Sequence, residues 1–156
     1  MELREALKEA EPFKGLNEKE LQEVENLGTL KTYAKGDVIF EENSEGREFY
    51  IVKSGCIAIN KNIAGGRKRN LSNLKEGDVF GEIALFDSQP RSADAEAVED
   101  SEVITFPNDK FRDLLKNNLV MAFIIQTRII RILCKRLRAT DEMLKDGVIW
   151  GFKMDV

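Results

Sequence analysis

Histidine is absent from this chain of 156 residues. Without an imidazole base there is no Ser-His-Asp or Cys-His nucleophile system. Haem held by a histidine is excluded, and metal-dependent jelly-roll enzymes lose their usual ligands. Cysteine is scarce: Cys56 and Cys134 stand far apart, without metal spacing. They exclude a four-cysteine iron–sulfur centre and form no disulfide framework, so the expected compartment is the reducing cytoplasm. No metal and no enzymatic activity are expected. Long apolar runs are also missing. The longest, Leu119 to Ile125, is too short for a bilayer, and the opening Met1-Glu2-Leu3-Arg4-Glu5 is no signal peptide. Net charge is −4, so bulk charge gives no pull towards nucleic acid or an anionic membrane.

What is present fits one domain with a real core, at 42% hydrophobic and 33% charged residues. A helical segment is expected over 1–28. In it Asn17-Glu18-Lys19-Glu20 reads as a capping box that opens a helix closed by Gly28. Short strands fill 29–107, separated by turns such as Lys35-Gly36-Asp37, Ser44-Glu45-Gly46 and the hairpin Gly65-Gly66. About eight strands at this spacing predict an α+β, mainly β fold: an eight-stranded jelly-roll or double-stranded β-helix barrel with N-terminal helices and a long C-terminal helix. Hinge and helices follow over 108–146. Asn108 is read as the cap of one helix, Asn117-Asn118 as a hinge, and a longer helix runs to about Lys145, ending at Asp146-Gly147. The tail, 147–156, has apolar residues expected to pack on a surface.

The densest chemistry lies between Gly77 and Ala97. Gly81 lets backbone approach a ligand closely. Glu82 is an acceptor suited to a sugar hydroxyl. Ile83 to Phe86 read as one helical turn whose first N–H groups attract an anion. Arg91, aimed by Pro90, carries a planar fork that fits two phosphate oxygens. These are the parts needed to hold a cyclic phosphodiester and its ribose.

The run Phe80-Gly81-Glu82-Ile83-Ala84-Leu85, followed after a short spacer by Pro90-Arg91-Ser92-Ala93, closely resembles the phosphate-binding cassette of the cyclic-nucleotide-binding domain family. Tyr33 to Phe40 and Tyr50 to Gly55 resemble further recurrent pieces of that family, so the likeness spans nearly the whole chain. The resemblance implies a cyclic nucleotide as ligand, cyclic AMP ahead of cyclic GMP. Arg91 and Ser92 then hold the phosphate, with backbone N–H groups at Ala84 and Leu85, and Glu82 holds the ribose 2′-hydroxyl. One departure is Asp94, where many relatives carry a neutral residue, commonly Thr. Its charge is compatible with a nearby phosphate when it faces solvent or pairs with a cation.

Along the last helix, Leu119, Phe123, Gln126, Ile130, Leu133, Leu137, Thr140 and Leu144 recur at alternating steps of four and three, a coiled-coil seam. A second stripe, Ile125, Ile129 and Ile132, is expected to face the strands. A homodimer through helix 119–145 is therefore expected. Lys135 to Glu142 resembles the dimer helix of the same family, which implies that Arg136 approaches the ribose-binding Glu82 and that Thr140 meets the adenine amino group. Asp141 departs from the Ser found there. The residues after Asp146 are too few for a helix-turn-helix, so no nucleic-acid binding by this chain is expected. The sequence is expected to be a complete, stand-alone sensor whose effector protein is unknown. Two alternatives stay open: an interaction module with a degenerate nucleotide pocket, and the sensor part of a transcription regulator without its DNA-binding domain.

Overall fold

The run Phe49-Tyr50-Ile51-Val52 is apolar at every position, and the reason is that its strand is buried on both faces. In the computed structural model, which describes the backbone of residues 2–154 and the side chains of 2–147, Phe49 and Ile51 pack among helices, while Tyr50 and Val52 pack against a second sheet. Alternate residues of a strand point to opposite faces, so one strand joins both cores.

The elements run α1 (Leu3–Glu9), α2 (Glu18–Glu25), β1 (Thr29–Tyr33), β2 (Val38–Phe40), β3 (Glu48–Ser54), β4 (Ile57–Ile63), β5 (Arg67–Leu74), β6 (Val79–Phe80), α3 (Ile83–Asp87), β7 (Asp94–Ala97), β8 (Ser101–Pro107), α4 (Asn108–Asn117) and α5 (Leu119–Met154). The strands form two antiparallel four-stranded sheets, ordered β1-β8-β3-β6 and β2-β7-β4-β5. The expected strands are all present, but they do not close into a barrel. Among the described residues no ladder joins one sheet to the other. β6 stops after two residues because Gly81, at φ +75°, turns the chain into α3. An edge strand so short cannot bridge to the second sheet.

The capping box at Asn17 forms as expected: its side chain accepts from the Glu20 N–H at 2.8 Å, and Glu20 accepts from the Asn17 N–H at 2.9 Å. The helix it opens ends at Glu25, short of Gly28. An unforeseen 3-10 turn, Glu11–Phe13, brings Phe13 into an aromatic cluster. There Phe49 stacks on Phe106 at 4.9 Å and meets Phe111 edge-on at 4.7 Å. Such pairs contribute about 0.5–1.5 kcal/mol each beyond their buried area. The cluster locks α4 to the first sheet.

Asn108 does not cap α4. Pro107 occupies the cap position without a side-chain bond, and Asn108 is already helical. The break expected at Asn117-Asn118 is present: Asn118 leaves helical geometry at φ −142°, ψ 91°. Its side chain then accepts from the Met121 N–H at 3.1 Å. α5 does not stop at Gly147. It continues through Gly147 and Gly151 to Met154, because each glycine inside a helix costs only about 1 kcal/mol. The expected packing of the tail side chains falls on 148–156, outside the residues whose side chains are described.

Met121, Ala122, Ile125 and Ile129 of α5 are buried against the first sheet and the N-terminal helices, with Ile132 half-buried beside them. The opposite line is bare: Leu119, Phe123, Ile130, Leu137 and Leu144 are all exposed. Leu133 departs from that line and packs onto the core. Among the described residues no helix is long and apolar enough to cross a membrane.

Candidate functional site

Arg91 is 5% exposed, although an arginine is almost never buried without partners. It follows Pro90, and its backbone is gripped from both sides by the linker between β2 and β3. The Arg91 N–H donates to the Ser44 carbonyl at 2.8 Å, and the Asn43 N–H donates to the Arg91 carbonyl at 2.8 Å. Its guanidinium lies 4.1 Å over the Phe40 ring. Phe40 belongs to a layer in which Tyr50 and Phe80 stack at 4.7 Å. Nη1 donates to the Gly81 carbonyl at 3.1 Å and Nη2 to the Glu48 carbonyl at 2.6 Å. Nε is buried with no partner among the described residues. Burial pulls the Arg91 pKa down, while Tyr50 and Glu48 hold it up. The result is a positive group on an aromatic floor with a donor to spare.

Gly81 faces this guanidinium. A Cβ there would come within 2.8 Å of Nη1, and its φ of +75° is a conformation that side-chain-bearing residues rarely adopt. α3 begins immediately afterwards. Leu85 N–H is taken by the Glu82 carbonyl at 3.1 Å, so Ile83 and Ala84 hold the amides left over at the helix start. Ala84 and Leu85 are buried, and Ile83 is half exposed.

Glu82 is 3% exposed. Its Oε1 accepts from Arg136 Nη1 at 2.7 Å, and Arg136 Nη2 also donates to the Val79 carbonyl. Burial pushes the Glu82 carboxyl above its usual range, with Arg136 opposing. One turn further along α5, the Thr140 hydroxyl donates to the Arg136 carbonyl at 3.0 Å, and Thr140 and Asp141 are exposed. The structure thus brings Gly81, Glu82, Arg91 and Arg136 together. Thr140 lies at the outer end of the same helix face.

Ser92 is exposed, and its carbonyl accepts from Lys61 Nζ at 2.7 Å. Asp94 has its charge answered. It accepts from the Glu42 N–H at 2.6 Å and pairs with Lys68 at 2.7 Å. Burial works against that charge, but the bonds to Lys68 and to the Glu42 amide outweigh it and hold the carboxyl below its ordinary range.

A buried arginine with a free donor, a glycine in a left-handed turn beside it, and a buried acid held by a remote helix meet at the start of α3. The sequence model of the cyclic nucleotide-binding domain matches residues 30–118, more than half of the chain. The chain belongs to the cyclic nucleotide-binding domain family. It is 31% identical over 129 residues to the cyclic AMP receptor protein of Thermus thermophilus, covering 83% of this chain and 58% of that one. It is 34% identical over 110 residues to the cAMP-dependent protein kinase regulatory subunit of Candida albicans, covering 70% of this chain and 23% of that one. The chain therefore spans about half or less of the length of these relatives. Among solved structures, the catabolite activator protein of Thermus thermophilus superposes with a TM-score of 0.76 at 29% identity, covering 87% of this chain and 62% of that one. The regulatory domain of Toxoplasma gondii PKA, crystallised with cAMP, gives 0.66 at 30% identity, covering 71% and 42%.

Sequence reasoning about this cyclic nucleotide-binding domain missed Gly46. A Cβ there would sit 2.5 Å from the Ala84 Cβ and 3.3 Å from Arg91 Cζ. Its turn looked like any other, and nothing local marked the close approach. Phe40 and Tyr50 were legible as strand residues but not as the floor under Arg91. An apolar cleft of about 340 Å³ lies between α3 and α5, lined by Ile83, Phe86, Ile129, Ile130 and Leu133. Among the described residues no cluster of three or more His, Cys, Asp or Glu side chains is arranged to hold a metal.

Proposed function

We propose that this chain is a cyclic-nucleotide sensor whose preferred ligand is cyclic AMP and whose signal leaves through α4 and α5. The observation that carries the reading is the buried Arg91 guanidinium with its unpartnered Nε beside Gly81. Burying a cation is costly unless a counter-charge arrives, and a phosphate supplies it. Arg91 and Ser92 take the phosphate, with the free amides of Ile83 and Ala84 at the start of α3; the Leu85 amide, expected to join them, is taken by the Glu82 carbonyl. Glu82 accepts from the ribose 2′-hydroxyl, for which Arg136 now stands in. The base lies along α5 between Arg136 and Thr140, where the Thr140 hydroxyl meets the adenine amino group. Cyclic GMP is the weaker ligand.

The bare line Leu119, Phe123, Ile130, Leu137 and Leu144 supports homodimerisation through α5. Since α5 also carries Arg136, ligand and dimer are thermodynamically linked. The coverage of 58% of the Thermus relative supports a second reading, in which this chain is the sensor part of a receptor-protein-type regulator.

Calorimetric titration with cyclic AMP, cyclic GMP and cyclic dinucleotides tests the main reading. Saturable one-to-one binding with cyclic AMP tightest is the expected result. Absence of heat with every nucleotide leaves an interaction module with an empty pocket and overturns the sensor.

A further inference from the structure

Asn108 stands where the arginine site meets α4. It is 2% exposed. Its Nδ2 donates to the Gly46 carbonyl at 3.3 Å, and its backbone N–H donates to the Arg47 carbonyl at 2.9 Å. Its Oδ1 is buried with no partner among the described residues. A residue chosen for stability alone does not leave a buried acceptor unpaired, since that costs free energy.

What Asn108 holds is the 43–48 linker. The front of that linker grips Arg91: Asn43 and Ser44 bond its backbone, and the Glu48 carbonyl accepts from its Nη2. Gly46 is pressed against the guanidinium and Ala84, with no room for a side chain. On another side of the linker lies an open cleft of about 680 Å³, lined by Gly46, Arg47, Ala84, Asn108 and Arg112 but by neither Arg91, Glu82 nor Arg136. Packing cannot press the linker forward from an open cleft. The two bonds from Asn108 can.

We propose that Asn108 is a positioning residue for Arg91. By bonding Gly46 and Arg47 it holds the 43–48 linker against the guanidinium, and it ties the anion site directly to the first turn of α4. This rests on reading Arg91 as the contact to the ligand's phosphate. It also gives bound anion a second route to the helices, separate from the Glu82–Arg136 pair.

The test uses Asn108→Asp. An ionised carboxylate facing the Gly46 carbonyl repels it, whereas a protonated one donates to it as the amide does. The charged groups around the position are Glu45, Arg47 and Glu48 on the linker and β3, Asp109 and Arg112 on α4, and Arg91 beyond Gly46. Three acids stand against three arginines, so burial is what raises the introduced carboxyl above the ordinary aspartate range, and measurements at about pH 5 and about pH 8 bracket its titration. Two readouts are taken on the full chain: the Arg91 Nε–H resonance without ligand, and cyclic AMP affinity by calorimetry.

In the variant the resonance shifts between the two pH values, and affinity is roughly tenfold weaker at the higher one, the effect of one lost hydrogen bond with its partner stranded. Both changes are read against the parent at the same pH, because the raised Glu82 carboxyl gives the parent a pH dependence of its own. A resonance and an affinity that match the parent at both pH values overturn the proposal. If Asn108→Asp does not fold, Asn108→Ala is used, and its Arg91 resonance must differ from the parent at every pH. An unshifted resonance there overturns the proposal as well. If the parent binds no cyclic AMP, the nucleotide reading fails, while the ligand-free resonance still decides the role of Asn108.

Discussion

Arg136 reaches across 54 positions of sequence to Glu82, placing Nη1 2.7 Å from the carboxylate. The pair joins α5 to the loop that opens α3, and it occupies the acid that a ribose hydroxyl would use. A ligand that takes Glu82 therefore loosens one of the bonds holding α5.

Arg136→Ala should strand a buried carboxylate. Breaking a buried pair costs roughly 3–5 kcal/mol, and the partial exposure of Arg136 puts this case at or below the low end. The sign follows from the direction of the Glu82 shift. Burial already raises its folded pKa above the unfolded value, and losing Arg136 raises it further. Ionised Glu82 is a burden in the folded state, so the stability deficit is largest above the folded pKa and fades as pH falls towards the unfolded one. Denaturant melts of parent and variant across pH should converge on the acid side. A deficit independent of pH would show that the pair contributes through packing alone.

Arg91→Ala should weaken cyclic AMP about a hundredfold, since charge-assisted bonds contribute about 1.5–3 kcal/mol each and ~1.4 kcal/mol is tenfold. Gly81→Ala should mimic it: the Cβ meets Nη1 at 2.8 Å, and the left-handed backbone adds about 1–2 kcal/mol of strain. Calorimetry of both variants with parental affinity would remove Arg91 from the binding site.

Asp94→Asn keeps an acceptor for the Glu42 amide but removes the charge that Lys68 answers. In the parent the Asp94 pKa is depressed, so the stability it gives is present above the ordinary aspartate value of about 3.9 and is lost as pH falls through the lower folded value. The variant should show a shallower acid limb in thermal melts below about pH 4. Identical acid limbs would mean the carboxylate is not held by these bonds.

Leu137→Asp tests the bare face of α5. Leu137 is 63% exposed within one chain, so the substitution leaves the fold of a monomer unharmed. In a dimer seam the same carboxylate is buried and unpaired, at a cost of several kcal/mol. Sedimentation should show a monomer with an unchanged melting curve at low concentration and weaker cyclic AMP binding. A dimer that survives places the interface elsewhere. Leu133 is the poorer choice, because it packs on the chain's own core and its replacement would damage the fold itself.

Most of this fold is written in local signals. Glycine and aspartate turns separate most of the strands, and Asn17 with Glu20 fixes the start of α2 to the residue. Glu82 and Arg91 were legible because acid, glycine and Pro-Arg occur together at fixed spacing. What was not legible depends on neighbours remote in sequence. Gly46 is required only because Ala84 and Arg91 fold onto it. Asn108 looks like a cap until Gly46 draws its amide away. Leu133 fits the seam spacing, yet α5 rotates it towards the core. Sheet closure is likewise decided by geometry, through the turn at Gly81, and no period in the sequence reports it.

Because the two sheets stay open, β1 and β5 each run along a border whose outer N–H and C=O groups have, among the described residues, no strand beside them. Bare borders of this kind invite pairing between molecules. This chain guards them with cations: Lys31 on β1 and the run Arg67-Lys68-Arg69 on β5. A lysine or arginine on an edge must be desolvated and brought near its own copy before two borders can meet. Acetylating Lys31, or replacing Arg67 and Arg69 by threonine, therefore removes a barrier to sheet-to-sheet growth and leaves the Lys68–Asp94 pair in place. The openness of the two sheets thus makes resistance to edge pairing rest on a few charges.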